Sequence, residues 1–437
     1  MTEIQLSLIN FPIWPMISEI FKDYSDDYEF TAKGVFRKIV PPSCPACGHR
    51  MSHNGSNVYC KAFLGGARVG RYICGACGQQ LEEENDFWIN CKEEFFQIIE
   101  QICIRLRLHH CSYEAIEEVL SFIYPRDKDT IRNIVQFAIA NHEVPRVENI
   151  QFVGYDEQHP KAGRNQKYRL TLIDIASRQI IAEELAESKD NDTIERFFRK
   201  NLDTHRPIFI VTDLSIGYDN ILKKIFGNKV THQLCHFHLS QLIVKDFPRK
   251  TSISQEFIKY NMLNIFYNRD LELGFLSCLL KEEKTMMKIS SSQEYEKWLK
   301  RAMGEFRNFV HSLKLKRRRE KKNLEQRTYD DANNKFNDLF DKIESFEIPV
   351  KKRLRRIKEL WQNLTAFYWV PNSPATNNIV ENYYSTSLKT HRKNQLDTVG
   401  IQDQMKLSAL NRAGIFGKPM KTLLDVFIMF IPFRDAG

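Results

Sequence analysis

The stretch PIFIVTDLS, residues 207–215, carries four consecutive apolar residues, Ile208 to Val211, and then an acid, Asp213. An unbroken apolar run of this length reads as a strand buried on both faces, as in a parallel sheet. The next residues, LSIGYDN, read as a turn into a helix. An acid at the mouth of a buried strand can cap such a helix, or it can face a site. The flanking segments bear on that choice.

IQFVGYD (150–156), YRLTLIDI (168–175) and QIIAEELA (179–186) read as three strands joined by short polar turns, an antiparallel meander. DNDTIERFFRKNL is a helix capped by Asp190 or Asp192. After the opening strand come the helix YDNILKKIF and a fifth strand, VTHQLCHFH (230–238). This succession gives a mixed α/β sheet. The first strand also stops on an acid, Asp156. In this order the first and fourth strands lie parallel and adjacent, so their carboxyl ends open on one edge, where α/β proteins hold ligands. Two neighbouring carboxylates repel, and Mg²⁺, which takes hard oxygen ligands, turns that repulsion into affinity. Nearby Asp174 reads as a turn residue, and neither it nor Glu157 is assigned to the site.

TNNIVENYYSTSLKTHRK offers a third acid, Glu381. On a helix, Asn377, Glu381 and Ser385 share one face, which Lys389 and Arg392 continue. That stripe suits a helix lying against a phosphodiester; the alternative is a surface helix whose Glu pairs with a Lys.

Ten cysteines are present, and six of them fall between residues 44 and 91. CPACGHR (44–50) and CGACGQQ (74–80) are near-copies of one turn, each with a Gly after the second Cys that relieves the backbone. Together, Cys44, Cys47, Cys74 and Cys77 supply the four thiolates of a structural zinc ion; buried free cysteines are the alternative. Cys60, His49 or His53 could replace a ligand. NVYCKAF and RVGRYIC, between the pairs, alternate as short strands do. The first 40 residues read as irregular to helical.

Residues 92–142 read as three short helices, with Ser112 and Asp129 as N-caps of the second and third and Pro125 between them. This is the pattern of a helix-turn-helix that presents Lys128, Thr130, Arg132 and Asn133 to a DNA groove, or of a plain helical bundle. Beyond residue 240 the chain is helical and highly charged, with basic runs at 314–322 and 351–356 that suit either solvated faces or phosphate contacts. Lys plus Arg number 64 against 55 for Asp plus Glu, a formal charge of +9 that permits a polyanionic partner. The opening residues lack the features of a secretory signal. The apolar run VFIMFI (426–431) is too short to span a bilayer and reads as an element docking on the core.

Asp156, Asp213 and Glu381 resemble the Asp-Asp-Glu triad of insertion-sequence transposases with an RNase H-like catalytic core. Cys235-x-x-His238, in LCHFHL, is similar to the Cys-x2-His feature of Mutator-like and hAT-like transposases and their bacterial or archaeal relatives, with His236 or His238 as its histidine. Strand alternation sets Cys235 and His238 on opposite faces unless the chain turns there. Those enzymes carry an all-helical insertion ahead of the Glu, and here 168 positions separate Asp213 from Glu381. The resemblance covers most of residues 44–400. The organisation it implies is an N-terminal segment (1–40), a zinc ribbon (41–91) and a helix-turn-helix module (92–145). An RNase H-like core with a five-stranded mixed sheet (146–240 and 371–400) follows, interrupted by a large all-α insertion (241–370), then a C-terminal helical tail (401–437). It further implies two Mg²⁺ or Mn²⁺ ions on Asp156, Asp213 and Glu381, with Asn377, Asn378, Lys389 and Arg392 positioning a DNA strand. The expected reaction is cleavage of element ends and their transfer to target DNA, by a homodimer or larger assembly on DNA in a prokaryotic, nucleoid-associated setting. Two other readings are a zinc and helix-turn-helix DNA-binding regulator derived from such an enzyme, and an RNase H-like nuclease.

Overall fold

The computed structural model of the chain describes residues 28–31, 35–61, 65–83, 86–122, 126–161, 166–388 and 395–417. The chain divides into two compact units, one of residues 1–143 with 414–437 and one of residues 144–413. No helix among the described residues is long and apolar enough to cross a membrane.

The first unit opens with five strands, β1 (Tyr28–Phe30), β2 (Val35–Lys38), β3 (Ser52–Lys61), β4 (Gly65–Ile73) and β5 (Gln80–Glu82). They form one sheet in the order β1-β2-β4-β3, with β5 also pairing with β4. The β3–β4 hairpin is the expected pair of alternating segments. β1 and β2 correct the reading of the first 40 residues, because three or four residues are too few to show a period and become strands by pairing, β1 with β2 and β2 with β4. Residues 1–27 lie outside the described residues.

Three helices follow, α1 (Asp86–Leu108), α2 (Tyr113–Ser121) and α3 (Lys128–Asn141). Cys103, Ile104, Ile116, Leu120, Ile131, Val135 and Ala138 are their buried residues. Ser112 caps α2 as expected, accepting from the Ala115 amide at 3.2 Å. The cap of α3 is Asp127 rather than Asp129: its Oδ1 accepts from Asp129 and Thr130 amides at 3.0 and 2.9 Å. Asp129 sits in the first turn and pairs instead with Arg132 at 2.8 Å. α1 runs for 23 residues, longer than the short helix expected. Residues 414–417 join this unit, where Arg105 donates to the Gly417 carbonyl at 2.9 Å. The run VFIMFI lies outside the described residues.

The second unit is built on β6 (Phe152–Gln158), β7 (Tyr168–Asp174), β8 (Ile180–Ala186), β9 (Ile208–Thr212) and β10 (Val230–Leu234), in the order β10-β9-β6-β7-β8. β6, β7 and β8 are antiparallel, whereas β9 runs parallel to both β6 and β10. Alternation divides the side chains between the two faces. Val153, Tyr155, Leu170, Leu172, Ile208 and Ile210 pack with Phe197, Phe198, Leu222 and Phe226 of α4 (Asn191–Asn201) and α5 (Tyr218–Phe226). Asp190, one of the two expected caps, closes the start of α4, accepting from the Thr193 amide at 2.8 Å.

Helices α6 (His236–Lys245), α7 (Ile253–Leu263), α8 (Asp270–Ile289), α9 (Ser292–Arg319), α10 (Tyr329–Phe340), α11 (Ile348–Glu359) and α12 (Trp361–Thr365) fill the interval after β10. They hold two cores, one around Phe266, Phe336 and Leu354 and the other around Leu276, Trp298 and Phe306. The chain returns to the sheet through α13 (Asn378–Ser387) and α14 (Thr398–Arg412), so the first part of the expected tail belongs to this unit.

α13 lies on the sheet face opposite α4 and α5. Val380, Tyr383 and Tyr384 pack with Ile173 and Ile180. Arg169, 2% exposed, pairs with Glu183 at 2.5 Å, donates to Ser387 Oγ at 3.0 Å and stacks under Tyr383 and Tyr384. A charge so deeply buried is tolerable only with these partners. The approach is closest at Gly154, in mid-strand. A Cβ placed there would lie 2.3 Å from Asn377 Oδ1 and 3.0 Å from Val380 Cγ2. We expect Gly154→Ala to lower the urea midpoint by an amount equivalent to about 1–3 kcal/mol, as overpacking does; an unchanged midpoint contradicts the packing described.

Candidate functional site

The parallel seam between β6 and β9 sets the site. Its paired positions are Phe152 with Phe209, Val153 with Ile210 and Gly154 with Val211. Carried two residues further, the same register places Asp156 opposite Asp213, beyond the last paired position. β6 does not stop at Asp156: it continues to Gln158 by pairing with β7 alone. The two strands diverge at the seam, and alternation turns both acids toward the α13 face. Asp213, just past the end of β9, holds its own turn: Oδ1 accepts from the Ser215 amide and Oδ2 from the Ser215 hydroxyl, both at 2.8 Å. The capping reading of this acid therefore holds for the turn, not for α5, whose N-cap Gly217 makes no side-chain cap.

Glu381 enters from the first turn of α13. The helix is fixed over the strand by Tyr384, whose hydroxyl donates to the Asp156 carbonyl at 2.7 Å. Asn377 Nδ2 donates to the Tyr155 carbonyl at 2.7 Å, and its amide donates to Cys235 Sγ at 3.1 Å. Cys235 and His238 belong together because the chain does turn. β10 ends at Leu234, four residues before the expected end, and Cys235 is the N-cap of α6. Cys235 thus ties α6 to the start of α13, and His238, in the first turn of α6, brings Nε2 to 3.2 Å from Glu381 Oε1. That contact lacks hydrogen-bond alignment, and Glu381 Oε1 is a buried oxygen with no hydrogen bond. His236 is excluded as the partner. It is fully buried, its Nε2 lies 2.7 Å from the Leu364 carbonyl, its ring stacks on Phe266, and burial pushes its pKa down to about 4.

The electrostatics of this edge are only partly compensated: Asp156 Oδ1 accepts from the Glu157 amide at 2.9 Å. Burial, then the charges of Asp213 and Glu157, push the Asp156 carboxyl up to about 8, with Glu381 adding to the effect. Burial raises Glu381 to about 7. Burial lowers the pKa of His238, against the opposing pull of Asp213. The three acids influence one another but are not gathered as a tight ligand set. Among the described residues, the one group of three or more metal-competent side chains whose ligand atoms all lie within 4.8 Å is the cysteine cluster. Asp213 is turned to Ser215, and Glu381 stands against His238. Glu157, the adjacent acid, faces the other side of the sheet. There it accepts from the hydroxyls of Tyr155, at 3.0 Å, and Tyr218, so it is structural. Asp174 accepts from the Ser177 amide at 2.7 Å, the turn role expected of it.

Several expected contact residues stand elsewhere. Asn377 is wholly buried and holds backbone, so it cannot position a DNA strand, a correction that follows from its tethers to Tyr155 and Cys235. Asn378 and Ser385 are exposed on α13, while Lys389 and Arg392 lie outside the described residues. In the first unit, Lys128 lies 3.9 Å from Glu114. Thr130 Oγ1 donates to Asp127 at 2.7 Å, Arg132 pairs with Asp129, and Asn133 is exposed on the same helix. Gly154, Tyr384 and the Asn377–Cys235 tether escaped the sequence reading. Of these only Gly154 left a signal, since a glycine inside a central strand marks a close approach.

The cysteine cluster can hold a metal ion. Cys44, Cys47, Cys74 and Cys77 lie on two matching turns. In each, the first Cys amide donates to the residue after the Gly, Cys44 to the His49 carbonyl at 2.7 Å and Cys74 to Gln79 at 2.8 Å. Gly48 and Gly78 take φ of +73° and +76°, a conformation that other residues resist. Sulfur separations of 3.5 Å (Cys44–Cys77), 3.4 Å (Cys47–Cys74) and 3.4 Å (Cys47–Cys77) are too long for disulfides. They approach the about 3.8 Å edge of a tetrahedron of thiolates around an ion. Backbone amides of Cys77 and Ala76 hold the Cys74 thiol down at about 6, favouring the thiolate. His49 and His53 stand outside the cluster, and the side chain of Cys60 lies outside the described residues.

Two outcomes follow. Elemental analysis should find about one ion per chain at the cysteines, lost in Cys47→Ser together with thermal stability; a wild-type chain that melts identically after chelation contradicts a structural ion. Because folding raises the Asp156 pKa, its penalty is absent below the ordinary carboxylate range, grows with pH and is complete above about 8. Asp156→Asn, in buffer without divalent cation, should therefore gain about 1–3 kcal/mol on the parent chain between about pH 5 and pH 8 in urea titrations. A difference that does not change with pH contradicts the assignment. No protein-family model matches the chain, and no curated protein resembles it closely enough to count as a relative.

Proposed function

We propose that the chain is a DNA transposase of an insertion sequence, cutting element ends and joining them to target DNA at an edge formed by Asp156, Asp213 and Glu381. The observation that carries this reading is the crowding of acids there, which one backbone amide on Asp156 offsets only in part. Asp156 on β6 and Asp213 just past β9 stand opposite by register at an open seam, a third acid arrives from a helix clamped over β6, and Glu381 buries an oxygen with no hydrogen bond. Such an arrangement costs stability and gains from a cation. The sheet order, three antiparallel strands followed by two parallel ones, supports an RNase H-like core. The helices from α6 to α12, lying between β10 and the Glu-bearing helix, support the all-helical insertion.

Asp156, Asp213 and Glu381 would hold two Mg²⁺ or Mn²⁺ ions, which when bound supply Lewis acidity to the attacking hydroxyl or water and to the leaving oxygen. The chain's own residues do the placing. Tyr384 and Asn377 hold the α13 backbone against β6, so Glu381 cannot drift from Asp156. His238 stands 3.2 Å from Glu381 without an aligned hydrogen bond, and its lowered basicity favours the neutral imidazole, so it leaves the acid to a cation without repelling it. The cysteine cluster, with zinc as its ion, and the three helices of the first unit recognise the element ends, with α3 toward the DNA. The setting that follows is a prokaryotic cell in which homodimers or larger assemblies form on DNA.

Glu381→Gln should abolish end cleavage and strand joining in Mg²⁺ while leaving binding to the ends intact. His238→Ala should cost about 10–100-fold in rate, as loss of a supporting partner does. Undiminished strand joining by Glu381→Gln overturns the reading, and nicked products that are never joined point to a nuclease instead.

A further inference from the structure

Of the two basic runs conspicuous in the sequence, 351–356 is largely occupied by ion pairs and 314–322 only in part. In 351–356, Lys351 and Arg355 pair with Glu344, Arg353 with Asp246 and Arg356 with Glu359. In 314–322, Arg317 pairs with Glu272 and Lys322 with Glu320. Cations without carboxylate partners, Lys314 at the start of the second run among them, gather in a groove of about 850 Å³ between α7 and α9. Arg249 and Lys250 stand at one end, before α7. Lys300, Arg307 and Lys314 follow one another along α9, with His311 among them. Spacings of seven residues keep those three on one stripe and separate them by about 10 Å each, or about 21 Å in all.

The floor between these cations is apolar and aromatic: Leu299, Met303 and Val310 with Tyr260 and Phe306, whose rings meet edge-on at 5.2 Å. Two acids reach the groove. Glu256 is neutralised by Lys259, and Glu296 has no cation partner, so six Lys and Arg side chains face two Glu. A groove with cations along its sides and rings in its floor matches single-stranded nucleic acid, whose bases have exposed faces for the floor and whose phosphates reach the cations. A duplex stacks its bases inside, so no base face is free for the floor. We infer that the α7–α9 groove binds a single nucleic-acid strand, through Lys300, Arg307 and Lys314 to phosphates and through Tyr260 and Met303 to bases. The inference rests on the reading of the chain as a DNA-processing enzyme and adds to it a place for unpaired strand away from the acids.

The test is fluorescence anisotropy of the full chain with a labelled mixed-sequence single strand of about 16 nucleotides, across a salt series without divalent cation. Lys300→Ala/Arg307→Ala/Lys314→Ala should weaken binding and flatten the slope of log K against log salt by about 2, from three lost phosphate contacts. Lys316→Ala/Arg318→Ala/Arg319→Ala, an equal change of charge on exposed cations outside the groove, should leave the slope near that of the parent, and Tyr260→Ala should weaken binding at an unaltered slope. Equal effects from the two triple variants, or none from the groove variant, overturn the inference. So does loss confined to a duplex of the same length. Because no step is catalysed in this assay, the groove can fail while metal-dependent cleavage persists, and the reverse outcome separates as cleanly.

Discussion

The close approach of α13 to β6 is the contact on which the second unit depends. It is possible because residue 154 is a glycine: any side chain would meet Asn377 and Val380. With that gap closed, Asn377 reaches the Tyr155 carbonyl and Tyr384 reaches that of Asp156. The same helix also covers Arg169, which lies buried between Glu183, Ser387 and two tyrosine rings. Residues more than two hundred positions apart in the chain are thereby locked to one strand, and the carboxylate of Glu381 is delivered to an edge where two others already face each other. Much of the stability comes from the apolar side chains on both faces of the sheet; the polar contacts decide where the helix sits.

The local structure around the acids points to a division of labour. Glu157 satisfies tyrosines on one face, while Asp156, one residue earlier, faces the opposite side, where the Glu157 amide offsets only part of the repulsion from neighbouring acids. Cys235 and His238 serve the same edge by a different route. The thiol receives the amide that starts α13, and the imidazole stands against Glu381. This explains why a Cys and a His three residues apart act together at a strand-to-helix turn, where the first turn of α6 brings them to one side.

How far the sequence was readable depends on the range of the signal. The apolar run 208–211, the three strand-like segments before it and VTHQL after it gave the five strands, because period and burial are local properties. The twin Cys-x-x-Cys turns were equally legible, since spacing, glycine and sulfur chemistry lie within seven residues. The end of β10 was misjudged: CHFH continues the strand's apolar alternation, and only the seating of Cys235 against Asn377, 142 positions away, makes it a helix start. The cap of α3 was misplaced by two residues because two aspartates compete, and the one whose oxygen reaches both amides wins. Asn377 looked like part of a polar stripe, but long-range contacts bury it. The α7–α9 groove was not legible as a site, because, of its cations, only Lys314 belongs to a visible basic run and the others come from separate segments.

The central claim is that Asp156, Asp213 and Glu381 converge on bound divalent cations. Iron-mediated hydroxyl-radical mapping tests it without relying on activity: Fe²⁺ replaces the ion, ascorbate and peroxide are added, and the cut sites are read by mass spectrometry. Cuts should cluster at three places, near Asp156, near Asp213 and near Glu381, and vanish together in Asp156→Asn. Cleavage confined to the cysteine turns, or scattered without regard to these positions, would contradict the account.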